Sequence, residues 1–314
     1  MRQRIVFAFC GLLLGLTLAV SAASPSSESK SGKVHAEMKG VDLRVDPSIV
    51  MEVRRLHGAL VPTQEGKPPW FDDPSSFTVE IDEGEIAVTP ASLSALMNEH
   101  VFNYPGAPIK DVKIEIVNGR IRQEATLARK IPIRATLEGD LSVTPEGKIR
   151  LHPTSVKAGK LPVKGLLDLF GIELDELIKT RESRGVSVVK DDLFLDPEKL
   201  LPSPKLQGKV TAVRLERDRI VQIFGGGQKA VSLHPPVKAA HYMFFRGSEL
   251  SFGKLTMHGA ELQIIDKDPK DPFHFFLPQY LKQLVAGTSH TLPDKGLVVY
   301  MPDFDQAGNE KKTR

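Results

Sequence analysis

The sequence predicts an α+β protein, mostly antiparallel β, in which one long curled sheet wraps around amphipathic helices. Three observations carry this expectation. Apolar residues alternate with polar ones in many short runs of the 314-residue chain, the period of a half-buried strand. Gly, Asn and Pro fall between those runs, where turns need them. Three stretches instead repeat their apolar residues at helical spacing.

The chain opens on Arg2 and Arg4, followed by the charge-free run 5–20 and by Val20-Ser21-Ala22, the small residues of a signal-peptidase site. Residues 1–22 therefore read as an export signal with a periplasmic or secreted destination. The apolar run is shorter than the ~20 residues that span a bilayer, which ranks a retained N-terminal membrane anchor second. Cys10 is the sole cysteine, and Phe9 stands where a lipobox needs a small residue. Cleavage after Ala22 leaves no disulfide, thiolate metal site or cysteine nucleophile. Stability after export then rests on core packing.

With 41% apolar residues the chain can bury a large core. Its formal charge of +3 falls by two when Arg2 and Arg4 leave, and the remaining charges are interspersed, which argues against a nucleic-acid partner. Residues 110–134 deviate, with seven Lys/Arg against Asp111, Glu115 and Glu124. A solvated sheet face explains them. The competing reading is attraction to anionic headgroups or a membrane surface, with Lys110, Lys113, Arg120 and Arg122 as candidates.

Residues 23–33 are rich in Ser and charge and read as a flexible leader. Order is expected from Val34. Val41, Leu43 and Val45 alternate with polar residues, and a second strand is expected over 49–61, ended by Pro62. Pro68, Pro69 and Pro74 mark a loop over 63–74, with Trp70 as its aromatic anchor at the core edge. Phe77, Val79 and Ile81, a turn at Glu83-Gly84, then Ile86 and Val88 predict a hairpin. Thr89 is the expected N-cap and Pro90 fits the first helical turn; Leu93, Leu96, Met97 and Val101 follow at helical spacing until Pro105.

Val112, Ile114 and Ile116 lead to Asn118-Gly119, with Ile121, Ala125 and Leu127 beyond; Asn-Gly between alternating runs is a strong hairpin signal. Ile131, Ile133, Ala135, Leu137, Leu141 and Val143 keep the period of two. Pro145-Glu146-Gly147 turns the chain, and Ile149 and Leu151 return it. Gly139 inside this run predicts a bulge. Leu166, Leu167, Phe170, Leu174, Leu177 and Ile178 mark a second amphipathic helix, interrupted at Gly171.

The order "TPASLSALMNEHVF", "VKIEIVNGRIRQEATL", "IPIRATLEGDLSVTPEGKIRLHP" and "AGKLPVKGLLDLFGIELDELI" resembles bacterial extracytoplasmic proteins of the tubular lipid-binding (TULIP-like) superfamily, related in fold to bactericidal/permeability-increasing protein. The resemblance covers about residues 86–178 and rests on element order rather than on catalytic residues. It implies a highly curved sheet around a long helix and an apolar groove for acyl chains. The chain before Ile86 and after Lys179 matches no pattern of that family.

Farther on, 186–195 predicts a strand and 197–201 a helical turn. Val210, Val213 and Leu215 lead through Asp218 into 220–224. Gly225-Gly226-Gly227 lacks the Gly-Lys-Ser/Thr order of a phosphate loop and reads as a turn. Residues 242–245, 250–257 and 262–265 predict a three-strand meander turning at Gly247 and Gly259. A helix is expected over 273–285, with Phe276, Leu277, Tyr280, Leu281 and Leu284 on one face, and a last strand over 297–301. The resulting plan is a curled-sheet domain over 34–225, a β-rich portion over 226–304 that continues or packs on it, and a disordered tail over 305–314.

Chemistry-bearing residues are sparse. Asp266, Asp268 and Asp271 share one loop, but the central Gly and closing Glu of an EF-hand are missing. His258 and Glu261 lie in a strand pattern, where a spacing of three does not converge on zinc. No Gly-x-Ser-x-Gly elbow exists, so no catalytic residue, metal or cofactor is assigned. The leading expectation is an exported, non-enzymatic lipid-binding or lipid-transfer protein of the cell envelope. Acyl chains would gain ~0.8 kcal/mol per buried methylene in a groove lined by Leu96, Ile114, Ile116, Ile133, Leu137, Leu167, Phe170 and Leu174. The alternatives are a structural or adaptor envelope protein whose same residues fill a closed core, and an exported hydrolase.

Overall fold

The alternating runs become strands in the computed structural model, which describes residues 32–128, 130–165, 184–226, 230–293 and 296–308. Three long strands open the fold: β1 (Val34–Asp46), β2 (Ile49–Pro62) and β3 (Phe77–Val88). Helix α1 (Pro90–Leu96) follows and runs into a π-turn over Met97–Val101. Next come β4 (Ile109–Val117), β5 (Arg120–Leu127), β6 (Ile133–Val143), β7 (Ile149–Ala158), β8 (Leu161–Val163), β9 (Val186–Val189) and β10 (Asp192–Leu195). Helical turn α2 (Pro197–Leu200) leads to β11 (Lys205–Gln207), β12 (Val210–Leu215) and β13 (Ile220–Phe224). The last part holds β14 (Tyr242–Gly247), β15 (Glu249–Phe252), β16 (Leu255–His258), β17 (Glu261–Asp266), β18 (Phe273–Phe276), α3 (Tyr280–Ala286), β19 (Thr288–Thr291) and β20 (Leu297–Met301).

The first sheet runs β12-β13-β3-β2-β1-β14-β17-β20-β19, with β11 on β3 and β18 on β1. The second runs β4-β5-β6-β7-β10-β9, with β8 on β7. Most pairings are antiparallel; β1 with β18, β3 with β11 and β17 with β20 are parallel. The protein is thus mostly antiparallel β with short helices. The longest helices among the described residues have seven residues, and none is long and apolar enough to cross a membrane. The second amphipathic helix expected near 166–178, and with it Leu167, Phe170 and Leu174, lies outside the described residues, as do the export signal and most of the leader.

Several expectations hold at residue level. Asn118 and Gly119 have φ of 53° and 73°, the left-handed pair that a tight hairpin turn requires. The ladder between β6 and β7 shifts register at Gly139. Thr89 caps α1, its hydroxyl accepting the Ser92 amide at 2.9 Å.

Four expectations are corrected. Glu83-Gly84 is not a turn: β3 runs unbroken from Phe77 to Val88. His57 pairs with Glu83 and Gly58 with Ile81, so Asp82 is an extra residue, and a bulge moves the inward set by one position. That phase jump, from Phe77, Val79 and Ile81 to Ile86 and Val88, mimics a hairpin in sequence. Residues 186–195 form two strands rather than one, joined at Lys190, whose φ is 56°. The segment 250–257 leaves the sheet as the separate hairpin β15–β16, and β14 pairs directly with β17.

The fourth correction concerns 273–285, which begins as strand β18 before Pro278 opens a short 3-10 turn and α3. Phe273 and Phe275 point into the core. Buried Gln283 binds the backbone there: Phe276 N–H donates to its Oε1 at 3.0 Å, and its Nε2 donates to the carbonyls of His274 and Pro302. The tail is also ordered farther than expected, because the amides of Gln306 and Ala307 donate to the Asp303 carbonyl.

Candidate ligand cavity between the two sheets

Helix α1 sits where the two sheets meet, and its polar side chains tie it to both. The Val50 amide of β2 donates to Ser92 Oγ at 3.2 Å. On the other side the Ile114 amide of β4 donates to Ser94 Oγ at 2.9 Å. Asn98 bridges Val112 twice, donating to its carbonyl and accepting from its amide, both at 2.8 Å. These bonds satisfy backbone groups that β4, the terminal strand of the second sheet, would otherwise leave unpaired. The inward faces of the two sheets are thereby held around a shared interior.

That interior is not filled. A cavity of about 140 Å³ lies between the sheets. The first sheet lines it with Ile49 and Met51 of β2, Ile86 and Val88 of β3, and Ile220, Gln222 and Phe224 of β13. The second contributes the inward positions of β4 through β7, β9 and β10. Leu93, Leu96, Met97 and Phe102 close the α1 side, and Pro197, Leu200 and Leu201 contribute from α2 and its C-terminal flank. Among the described lining residues only Ser92, Gln123 and Gln222 carry polar side chains, and none is charged. The volume is close to that of an engineered apolar cavity of ~150 Å³ that stays dry and admits benzene.

Two of those polar residues are out of pattern. Gln123 takes an inward position between Ile121 and Ala125 on β5, and Gln222 takes one between Ile220 and Phe224 on β13. Among the described residues neither side chain finds a hydrogen-bond partner. Both residues are half-buried, and neither amide is among the described buried side-chain atoms that lack a partner, so water or a ligand reaches them. Ser92 differs, since its hydroxyl is engaged by Val50 and Thr89.

Of the predicted lining residues, Leu96, Ile114 and Leu137 face the cavity. Ile116 is half-buried against the core beside it, and Ile133 is half-buried; neither lines it. The lining residues of β2, β13, β9 and β10 all lie outside residues 86–178, where the predicted groove is placed. Gln123 was also passed over, although it breaks the inward set of Ile121, Ala125 and Leu127.

The four candidate headgroup cations occupy other places. Arg120 and Arg122 alternate with cavity residues Ile121 and Gln123, so strand geometry sends them to the opposite face of the sheet. There Arg120 pairs with Asp140 at 3.0 Å and Arg122 with Glu138 at 2.7 Å. Lys113 pairs with Glu115 at 2.7 Å, and Lys110 is exposed. Cross-strand pairing engages Arg120 and Arg122, while Lys113 pairs along its own strand.

Trp70 is 43% exposed, and the neighbouring Phe71 is the anchor at 4%. Its ring packs against Phe245 and Phe252, both at 5.3 Å. His258 pairs with Glu249 rather than Glu261. Asp266, Asp268 and Asp271 do not converge on a common point; the described residues place only Asp46, Glu99 and His100 close enough to share a metal ion. Asp46 and His100 approach to 3.4 Å, and His100 Nε2 is buried without a hydrogen-bond partner among the described residues. No protein-family model, curated protein or solved structure matches this chain.

Proposed function

We propose that this protein is an exported, non-enzymatic lipid-binding or lipid-transfer protein of the cell envelope, holding part of an apolar ligand between its two sheets. One observation carries the reading: a cavity of about 140 Å³ whose described walls hold no charged side chain and only three polar ones. Protein interiors are otherwise packed nearly as densely as organic crystals, so a retained apolar space is costly unless something occupies it. Each methylene moved into it from water gains ~0.8 kcal/mol. The volume suits a ring or a short acyl segment, and a whole long chain would require the walls to part. Two sheets facing each other beside α1 would then perform the enclosing role expected of one curled sheet around a long helix.

The test is purification under native conditions followed by organic extraction and mass spectrometry, with titration of a neutral fluorescent apolar probe in parallel. The expected result is a co-purifying apolar molecule near one per chain, or saturable probe uptake by the emptied protein. A protein that comes away empty and takes up no probe has a passive interior, and the reading fails.

A further inference from the structure

Gln123 and Gln222 project into the cavity from opposite sheets, at positions where the strand pattern calls for apolar residues. Each amide can donate through its NH₂ and accept through its carbonyl, and neither uses this capacity within the protein. No Lys, Arg or His is among the described lining residues, so an ionised carboxylate or phosphate would enter the cavity without a counter-charge, which is strongly disfavoured. A hydroxyl or carbonyl oxygen suffers no such penalty and matches what an amide offers.

We infer that Gln123 and Gln222 are the polar contacts of the binding site, and that they select an uncharged apolar ligand carrying a hydroxyl or carbonyl group, such as a long-chain alcohol or an ester lipid, over a fatty-acid anion. This rests on the cavity being a ligand site, as proposed above. It also removes the need for the paired cations on the far face of the second sheet, because a neutral ligand has no anionic headgroup for them to hold.

The experiment is displacement of a neutral fluorescent apolar probe by four compounds built on an eight-carbon chain at pH 8: octane, 1-octanol, methyl octanoate and octanoate. The alcohol and the ester are expected to displace the probe at concentrations roughly tenfold below octanoate and several-fold below octane. In Gln123→Leu and Gln222→Leu the advantage of octanol over octane is expected to shrink several-fold. Both variants exchange a half-buried amide for an apolar side chain of similar size and are expected to fold; their unfolding midpoints verify this. An unchanged octanol preference in both variants, or octanoate binding as tightly as octanol, overturns the inference while leaving the cavity reading intact. Failure of all four compounds to displace the probe, or of the probe to bind, overturns both.

Discussion

Gly139 of β6 stands opposite Pro153 of β7, and at this pair the ladder slips by one residue. Pro153 has no amide proton to donate, and Thr154 is the unpaired extra residue, its hydroxyl donating to the Glu138 carbonyl at 3.2 Å. A Cβ on Gly139 would lie 2.4 Å from the His152 carbonyl oxygen, so the strands can meet only at a residue without a side chain. Gly139→Ala is therefore expected to destabilise by about 1–3 kcal/mol. Urea denaturation measures it, and an unchanged midpoint would contradict the close approach.

Phe71 holds the proline-rich loop to the fold. Besides Phe245 and Phe252 it touches Phe77 at 6.0 Å and Tyr280 at 5.8 Å. Phe71→Ala is expected to cost about 3–5 kcal/mol, the usual range for a buried aromatic. Trp70→Ala, removing a side chain that is half in water, should cost under about 1 kcal/mol. Comparable losses from the two would mean that Trp70 anchors the loop as much as Phe71 does.

These residues also show how far the sequence could be read. Asn118-Gly119 was unambiguous because both residues must adopt positive φ, a demand that few other pairs meet. Glu83-Gly84 deceived because a bulge and a hairpin turn both shift the phase of alternation; only the partner strand distinguishes them. The β18–α3 segment misled because Phe276, Leu277, Tyr280 and Leu284 fit helical spacing, while the strand depends on pairing with the distant β1. The cavity was half legible for the same reason. Leu96, Ile114 and Leu137 could be found within one contiguous block, but Ile49, Gln222 and Val188 reach it through pairings that no local pattern records.

Asp266 is buried, and its Oδ2 has no partner, while Oδ1 accepts the Asp268 amide at 2.9 Å. Burial pushes its carboxyl up to about 7, and burial raises Asp303 and Asp42 in the same direction. A raised pKa means that the folded state holds the proton more tightly than the unfolded chain. The associated stability is complete below about pH 4 and is lost as pH rises toward 7. Glu216, held down to about 2 by its bonds to Arg54 and Arg214 despite some desolvation, acts oppositely, but only below about pH 4.5. The window from pH 5 to 8 leaves Glu216 out, and because histidine as a residue type changes charge there too, the variant at Asp266 carries the assignment. Thermal stability should fall across it, and Asp266→Asn, which mimics the protonated form, should reduce that fall by a few degrees. An equally steep fall in the variant would assign the effect to other groups.

Ala125 and Ala135 are directly paired across β5 and β6, and both line the cavity. Two methyl groups stand where larger residues would close the space. Ala125→Leu adds three carbons, which fit within about 140 Å³. If this interior were merely a packing defect, filling it would raise stability by about 0.5–2 kcal/mol and change nothing else. If it is a ligand site, the same stabilisation should appear together with at least a tenfold loss of apolar-probe binding. Measuring the unfolding midpoint and the probe titration on one preparation separates the cases. Stabilisation with full uptake would place the ligand elsewhere on the protein, whereas destabilisation would show that the walls cannot accept the added volume.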